Sequence, residues 1–459
     1  MYKINFDKPI HVHFIGIGGI SMSGLAQILL QEGFTVSGSD NTRSNLTAQL
    51  EKAGAQIAIG QRAGNITEDI GLVVYTAAIH PDNPEYMRAE EAGIPMLSRA
   101  EFLGQLMGNY RASIAVAGTH GKTTTTGMLA HILMQAGTDP TVSIGGMLQT
   151  IGGNIRVGKT DVFLTEACEY TNSFHHFYPT TSVLLNIEED HMDFFHDIGE
   201  IRQSFRRFAS NTDPDGRIVI NTAIPDREEI TEGLAAKAVT FGLAEDADYT
   251  AADIRYDDAN DASFILRAHG KKLGRVTLRI PGRHNIENAL AACACAMESG
   301  LSFETAAAGL ASYTGTGRRF EHKGRLGDIE IIDDYAHHPT EIRATLSAAR
   351  DICKGRLICV FQPHTYTRTK AFWDEFADAL SLADIVVLAD VYAARETDTL
   401  GISSGMLAEE VAKRGTESHY FPTFDDIENF LLNKCINHDL LITMGAGDVY
   451  KIGDFLLGK

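Results

Sequence analysis

The stretch Ile114-Ala115-Val116-Ala117-Gly118-Thr119-His120-Gly121-Lys122-Thr123-Thr124-Thr125-Thr126 is an apolar strand running into a glycine-turned loop that ends in a lysine and a run of hydroxyls. Glycines at 118 and 121 allow successive backbone N–H groups to converge on phosphate oxygens. Lys122 supplies a point charge, and Thr123 offers an oxygen to Mg²⁺ at a helix N-terminus. The strict P-loop spacing requires glycine at position 116, where Val116 stands. The loop is therefore a compact variant of a nucleotide-phosphate cradle. A Thr-rich helix start after a strand is the bland alternative, but the lysine, both glycines and the strand-to-helix context coincide here.

Outward from this loop the chain reads as three strand-and-helix units in series. Upstream, a strand (Val12–Ile15), a glycine turn (Gly16–Gly19), a helix (Met22–Glu32) and a strand from Thr35 that ends at Asp40 make a βαβ opening. The alternation continues through Leu72–Tyr75 to Gly104. Downstream of the loop, Val162–Thr165, Ser182–Leu185 and Arg217–Ile220 read as buried strands. Residues 236–281 turn β-rich and hydrophilic, and Pro281-Gly-Arg-His-Asn285 starts a long Ala-rich helix. A third unit follows Gly317, with strands at Ile329–Ile332, Leu357–Phe361, Ile385–Leu388 and Leu440–Thr443. The predicted fold class is α/β, with boundaries at 1–108, 109–313 and 314–459.

Length supports this division, since 459 residues correspond to about three domains. The net charge of −20 argues against a nucleic-acid partner or an anionic membrane surface, so local basic groups should mark sites for anionic ligands. Six cysteines are scattered without a C-x-x-C pair, which fits a reducing cytoplasm better than a disulfide scaffold. Cys293 and Cys295 lie two apart on a helical stretch and make poor joint ligands. No apolar run approaches the roughly 18 residues of a membrane span, and the N-terminal stretch from Met1 to Pro9 has no signal pattern. The expectation is a cytoplasmic protein without membrane insertion.

In parallel α/β sheets, ligands gather beyond the carboxyl ends of strands. Gly16-Ile-Gly-Gly19 resembles a dinucleotide fingerprint, except that its third glycine position is Ser21, and Asp40 sits where an acid could bind a ribose hydroxyl. A nucleotide or nucleotide sugar fits this loop better than NAD, and a purely structural turn is the remaining alternative. Two central strands end in metal-type groups, Glu166 and Glu188-Glu-Asp-His191. Hard oxygens with one imidazole suit Mg²⁺ beside a triphosphate. Glu166 and His191 are the stronger candidates, Glu169 and Asp190 the weaker, and His175 and His176 read as loop residues. Asn285 and Asn288 open a helix and could cap it or read an adenine edge. Arg318 and Arg319, just inside the third unit, could close a guanidinium over phosphate. Asp333-Asp-Tyr-Ala-His-His-Pro339 and Phe361-Gln-Pro-His-Thr-Tyr-Thr-Arg368 follow strands and read as ligand-facing loops.

Together Gly118–Thr124, Asn186-Ile-Glu-Glu-Asp-His191, His284–Asn288, Arg318–Glu321 and Asp333–Pro339 resemble the Mur ligase family along essentially the whole chain, and Phe14–Gly24 with Gln362–Arg368 resemble its alanine-adding branch. The resemblance implies an N-terminal Rossmann-like domain for a UDP moiety, a central P-loop-type ATPase domain with a mixed sheet, and a C-terminal Rossmann-like domain that brings the amino acid. It implies ATP and Mg²⁺ as cofactors, UDP-N-acetylmuramate and L-alanine as substrates, and a monomer or homodimer. Carried over, Gly118, Thr119, His120, Gly121, Lys122, Thr123 and Thr124 would hold phosphates, with Lys122 over the transferred group. Thr123, Glu166 and His191 would hold metal. Asn285, Asn288, Arg319 and Asp334 would contact ATP, with Lys122, Glu166, His191 and Arg319 forming the catalytic set. Gly18, Gly19, Ser21 and Asp40 would bind the UDP end, while Tyr335, His364 and Arg368 would surround L-alanine. Two positions depart from the family pattern. Arg206-Arg207 stand where several relatives have a carbamylated lysine, so a carbamate bridge between metals is not expected. Tyr75-Thr76 replaces a hydroxyl pair expected near the UDP end.

The implied chemistry is activation of a lactoyl carboxylate by the γ-phosphate of ATP, then attack of the alanine amine on the acyl phosphate. Either His364 or a carboxylate near the metal would take the amine's proton. Three rivals share parts of this pattern: a ligase for a preformed peptide, an NAD-dependent oxidoreductase built on the first glycine loop, and a nucleotide-binding regulator with slow ATPase.

Overall fold

The computed structural model describes residues 3–257, 260–394, 396–398 and 400–459; Met1 and Tyr2 of the N-terminal stretch lie outside them. Among the described residues the strands form three sheets. The first is parallel, with spatial order Gln56–Ile59, Thr35–Asp40, His11–Ile15, Ile70–Tyr75, Met96–Ser98. The order reverses at His11–Ile15, whose carboxyl end opens into the Gly16–Gly19 loop. That is the switch point where open α/β sheets bind ligands. Val12, Phe14 and Ile15 are all fully buried, as expected of a strand covered on both faces. The following helix, Ile20–Gln31, is capped at Gly19 and begins two residues before Met22.

The central sheet has ten strands. Its parallel heart is Ala112–Ala117 between Thr181–Leu184 and Val162–Ala167. The hydrophilic stretch resolves into Lys237–Phe241, which extends the parallel run, and an antiparallel meander of Tyr249–Tyr256, Asp261–Ala268 and Lys271–Pro281. Alternate residues of Asp261–Ala268 are buried, so one face is solvated and the composition looks polar. Helices Lys122–Gln135 and His284–Glu298 cover the other side. The second is buried from Asn288 through Ala296, Cys293 and Cys295 included, because alanines let it be enclosed on several faces. Each fully buried Leu, Ile or Phe in these layers contributes about 1.5–3 kcal/mol.

The C-terminal sheet has six strands in the order Glu321–Leu326, Ile329–Asp334, Leu440–Met444, Leu357–Phe361, Ile385–Leu388, Glu417–Tyr420, parallel except for the first pair. His175 and His176, read as loop residues, fall in 3₁₀ turns over Tyr170–His176, where Thr171 and Asn172 adopt positive φ. No helix among the described residues is long and apolar enough to cross a membrane.

Candidate functional site

The loop from Gly118 to Thr124 is shaped by its glycines. Gly118 and Gly121 have φ of +150° and +83°, and a Cβ would meet Leu185 Cβ at 2.9 Å in the first and Asn288 Oδ1 at 2.6 Å in the second. Only glycine meets both demands without displacing a neighbour. Asn186, at the end of the adjacent strand, fixes the turn: its Oδ1 accepts from His120 N at 2.8 Å and its Nδ2 donates to His120 O at 3.1 Å. Lys122 Nζ donates to the carbonyls of Gly118 and Thr119 and lies 3.0 Å from Glu169 Oε2. Burial would pull the Lys122 ammonium down, but the Glu169 charge more than offsets it and raises the pKa to about 12. The lysine is therefore a permanent cation in a half-buried setting.

Beside this loop a cavity of about 550 Å³ lies between the central and C-terminal units. Thr123, Thr124, Asn285 and Asn288 line it from one side, Arg319 and Asp334 from the other. Asn285 Nδ2 donates to Pro281 O at 2.6 Å, and Asn288 Nδ2 donates to Asn285 Oδ1 at 3.1 Å. Arg283 is the N-cap residue, with no side-chain cap bond, so neither amide caps the helix. The two neighbouring arginines part company. Arg318 binds Asp333 at 2.9 Å and the carbonyls of Gly445 and Gly447, which holds the unit's own loops together. Arg319 faces the cavity, 4.0 Å from Glu341 and over the Tyr335 ring. Burial pushes the Asp334 carboxyl up to about 6.

The metal-type residues flank Lys122: Glu166 acts on it through its charge, while His191 gathers with Glu169 and Asp190. Glu166 accepts from Gly145 N, where a Cβ would crowd its carboxylate at 2.9 Å. His191 Nε2 lies 3.6 Å from Glu169 Oε1 and 3.7 Å from Asp190 Oδ2. Glu169 thus joins Lys122 to His191. Burial alone would raise its pKa, and Lys122 with His191 hold it below the ordinary range. Carboxylate oxygens, the buried Thr123 hydroxyl and one imidazole are a donor set that fits Mg²⁺.

A second, smaller cavity of about 90 Å³ is lined by Tyr170, Asp190, His191, His364, Arg368 and Glu396, among others. Arg368 donates from Nε to Asp190 Oδ1 at 3.0 Å, and its NH2 lies 2.9 Å from the same oxygen. Its NH1 donates to His364 Nδ1 at 3.0 Å. With that lone pair engaged, and burial pulling its pKa down to about 4, His364 is a poor base in this arrangement. Tyr335 does not line this cavity; His337 stands between it and His364. In the first unit, Gly18 N donates to Asp40 Oδ2 at 2.9 Å, so Asp40 braces the glycine loop. Ser21 Oγ accepts from Arg99 at 3.3 Å, and Gly19 is exposed.

The chain of contacts from loop to cavity is matched by likeness along the whole sequence. Profiles described as "Mur ligase family, catalytic domain", "Mur ligase middle domain" and "Mur ligase, glutamate ligase domain" match residues 11–111, 116–296 and 318–447. The chain belongs to the Mur ligase family. Among curated members, it is 57% identical over 459 residues to a UDP-N-acetylmuramate–L-alanine ligase from Agathobacter rectalis, covering all of both chains. It is 56% identical over 458 residues to one from Lachnospira eligens, again covering all of both chains. Among solved Mur ligase structures, the UDP-N-acetylmuramate-alanine ligase of Thermotoga maritima matches with a TM-score of 0.81 at 30% identity over 98% of each chain. A murein peptide ligase from Psychrobacter arcticus matches with a TM-score of 0.70 at 28% identity over 98% of each. This Mur ligase has the three-unit α/β architecture expected of its motifs.

Sequence reading missed three residues that shape the site. Asn186 is legible only as part of a motif, and nothing in the sequence marks it as the clamp on His120. Glu341 lies one turn into the helix Pro339–Ile352, 3.1 Å from His120 Nδ1 and 3.4 Å from His337 Nδ1. Tyr313 lines the large cavity as a fully buried side chain. Amphipathic spacing made Glu341 look like an ordinary first-turn helix acid.

Proposed function

We propose that this Mur ligase joins L-alanine to the lactoyl carboxylate of UDP-N-acetylmuramate, using ATP and passing through an acyl phosphate, in peptidoglycan precursor synthesis. The observation that carries the reading is the full-length 57% identity to a ligase of that name, and the cavity shared by the phosphate loop and Arg319 supports it. The structural units of the reading are 1–108 for the UDP-sugar, 109–313 for ATP and 314–459 for the amino acid.

In this reading the backbone N–H groups of the loop from Gly118 to Thr124 receive the β and γ phosphates, and Lys122 leaves Glu169 and the loop carbonyls to follow the transferred phosphoryl group. Thr123, Glu166 and His191 hold Mg²⁺, which when bound neutralises charge on that group. Asn285 and Asn288 contact ATP from the central unit, with Arg319 and Asp334 reaching it from the C-terminal unit. Gly18, Gly19, Ser21 and Asp40 form the UDP end. His364 and Arg368 frame L-alanine, with Tyr335 contributing from behind His337. A buried, charge-lined cleft between two units excludes water from a hydrolysable acyl phosphate. In this arrangement Arg368 engages both His364 and Asp190, so the amine's proton passes to His364 or to a carboxylate near the metal only once L-alanine's carboxylate draws Arg368 away. Nucleotide substrates and six free thiols favour a cytoplasmic setting.

Steady-state phosphate release from Mg·ATP tests the whole reading. Release should require both UDP-N-acetylmuramate and L-alanine and stop when Mg²⁺ is chelated. Release supported by a preformed peptide in place of L-alanine would make this a recycling ligase, and release indifferent to both would leave an ATPase.

A further inference from the structure

One cluster of side chains beside the loop is given no role in that reading, which uses only the backbone of His120. His120, Glu188 and His338 each offer a ligand atom within 4.8 Å of the others. The first two come from the central unit and the third caps a helix of the C-terminal unit. His120 Nε2 is buried without a hydrogen-bond partner and stands 3.5 Å from Glu188 Oε2. That separation is long for a hydrogen bond. It is close to the roughly 3.4 Å between two ligand atoms held at 2.0–2.1 Å by one tetrahedral ion.

Each of the three groups is also oriented from behind. His120 Nδ1 lies 3.1 Å from Glu341 Oε1. His338 Nε2 donates to Glu189 O at 3.1 Å, which leaves its lone pair on Nδ1, now approached by Thr340 N at 3.3 Å. Glu188 Oε2 accepts from Thr340 Oγ1 at 2.8 Å. A carboxylate or carbonyl on the far nitrogen of each imidazole, and a hydroxyl on the carboxylate, is the outer-shell pattern that fixes metal-ligating side chains. Two imidazoles and one carboxylate favour zinc-type ions over Mg²⁺.

We propose that His120, Glu188 and His338 form a binding site for a zinc-type divalent cation that pins the C-terminal unit against the phosphate loop. The fourth position is left to water or to a phosphate oxygen, since His120 and Glu188 line the large cavity. An ion there joins two units that must separate to exchange nucleotide, so its binding inhibits turnover at saturating Mg²⁺.

The test uses the full-length protein and Co²⁺ as a coloured probe for zinc. Parent protein should develop the intense visible absorption of tetrahedral cobalt at one equivalent, and His191→Ala should keep it. His338→Gln should lose it, and Glu188→Gln serves if that variant does not fold. In ligation assays, His338→Gln should turn over with Mg²⁺ but need at least about tenfold more Zn²⁺ for half-inhibition. Absence of the band, its loss in His191→Ala with retention in His338→Gln, or equal zinc sensitivity of parent and His338→Gln would each overturn the proposal. The cluster would then be a hydrogen-bonded contact between units, or the ion would belong to the Mg²⁺ site.

Discussion

At the scale of single residues, the loop lysine carries the sharpest expectation. Lys122 is half-buried, permanently charged and held by Glu169, so Lys122→Ala should abolish nearly all phosphate transfer while UDP-sugar binding, on another unit, persists. Calorimetric titration with UDP-N-acetylmuramate beside phosphate release checks both halves; normal turnover would remove Lys122 from the chemistry. A second residue makes a stability prediction. Glu85 is fully buried and accepts from Ser39 Oγ at 2.6 Å, Arg62 N at 3.2 Å and Asn65 Nδ2, with His13 Nε2 at 3.4 Å. Burial alone would raise its carboxyl, and the bonds from His13, Ser39 and Asn65 overcome that and hold it below the ordinary range. Its contribution is therefore present above the unfolded value of about 4.3 and lost as pH falls through the lower folded value. Glu85→Gln turns an amide N–H toward existing donors and should cost about 1–3 kcal/mol at pH 7. In urea melts the gap should shrink by pH 3; an unchanged gap would mean the carboxyl is not ionised in the fold. The limits of reading also appear at this scale. Lys122 stands out through its glycine-turned loop and His191 through its place after a strand, whereas the residue types alone leave Arg318 and Arg319 alike and only the family resemblance selects Arg319.

At the scale of elements, the helix Ile20–Gln31 is placed by a glycine. A Cβ on Gly24 would come within 1.8 Å of Ile155 Cδ1, and Ile155 belongs to the central strand Gly153–Arg156. Gly24→Ala should force the helix off this strand and lower stability by about 1–3 kcal/mol. Thermal unfolding reads the loss, and an unshifted midpoint would mean Ile155 moves aside freely. Long apolar strands such as Leu357–Phe361 and Ile385–Leu388 were legible to the residue, because burial on both faces leaves an unbroken hydrophobic run. Six strands went unread, two of them the short edge strands Gln56–Ile59 and Met96–Ser98 of the first sheet. Thr141–Leu148 is interrupted by two glycines, while Gly153–Arg156, Glu321–Leu326 and Glu417–Tyr420 lie at sheet edges. Edge strands carry polar and charged residues that keep them from pairing with other chains, which removes the alternation a reader depends on.

At the scale of the whole molecule, the C-terminal unit is held to the central one through Arg368–Asp190, Thr340–Glu188 and His338–Glu189. Asp190 is nearly enclosed; burial would raise its carboxyl, and Arg368 holds it far below the ordinary range. Arg368→Ala leaves that charge buried and unpaired, a change that costs about 3–5 kcal/mol. It should therefore raise the L-alanine requirement and also loosen the two units. The joint near residue 313 should then be cut faster by protease, and a raised ATP requirement alone would detach Arg368 from the amino-acid end.

The sequence by itself determined the three-unit α/β order, the glycine-turned loop from Gly118 to Thr124 and the family, because these rest on local signals: hydrophobic period, glycine spacing and the residue types after strands. Only the tertiary structure decided that Arg318 turns inward while Arg319 faces the cavity, that Asn285 and Asn288 leave the helix uncapped, and that Asp190 binds Arg368 from 178 residues away. It alone brought His120, Glu188 and His338 together. These are contacts between units, and their geometry depends on how two folded surfaces dock, which no local spacing encodes.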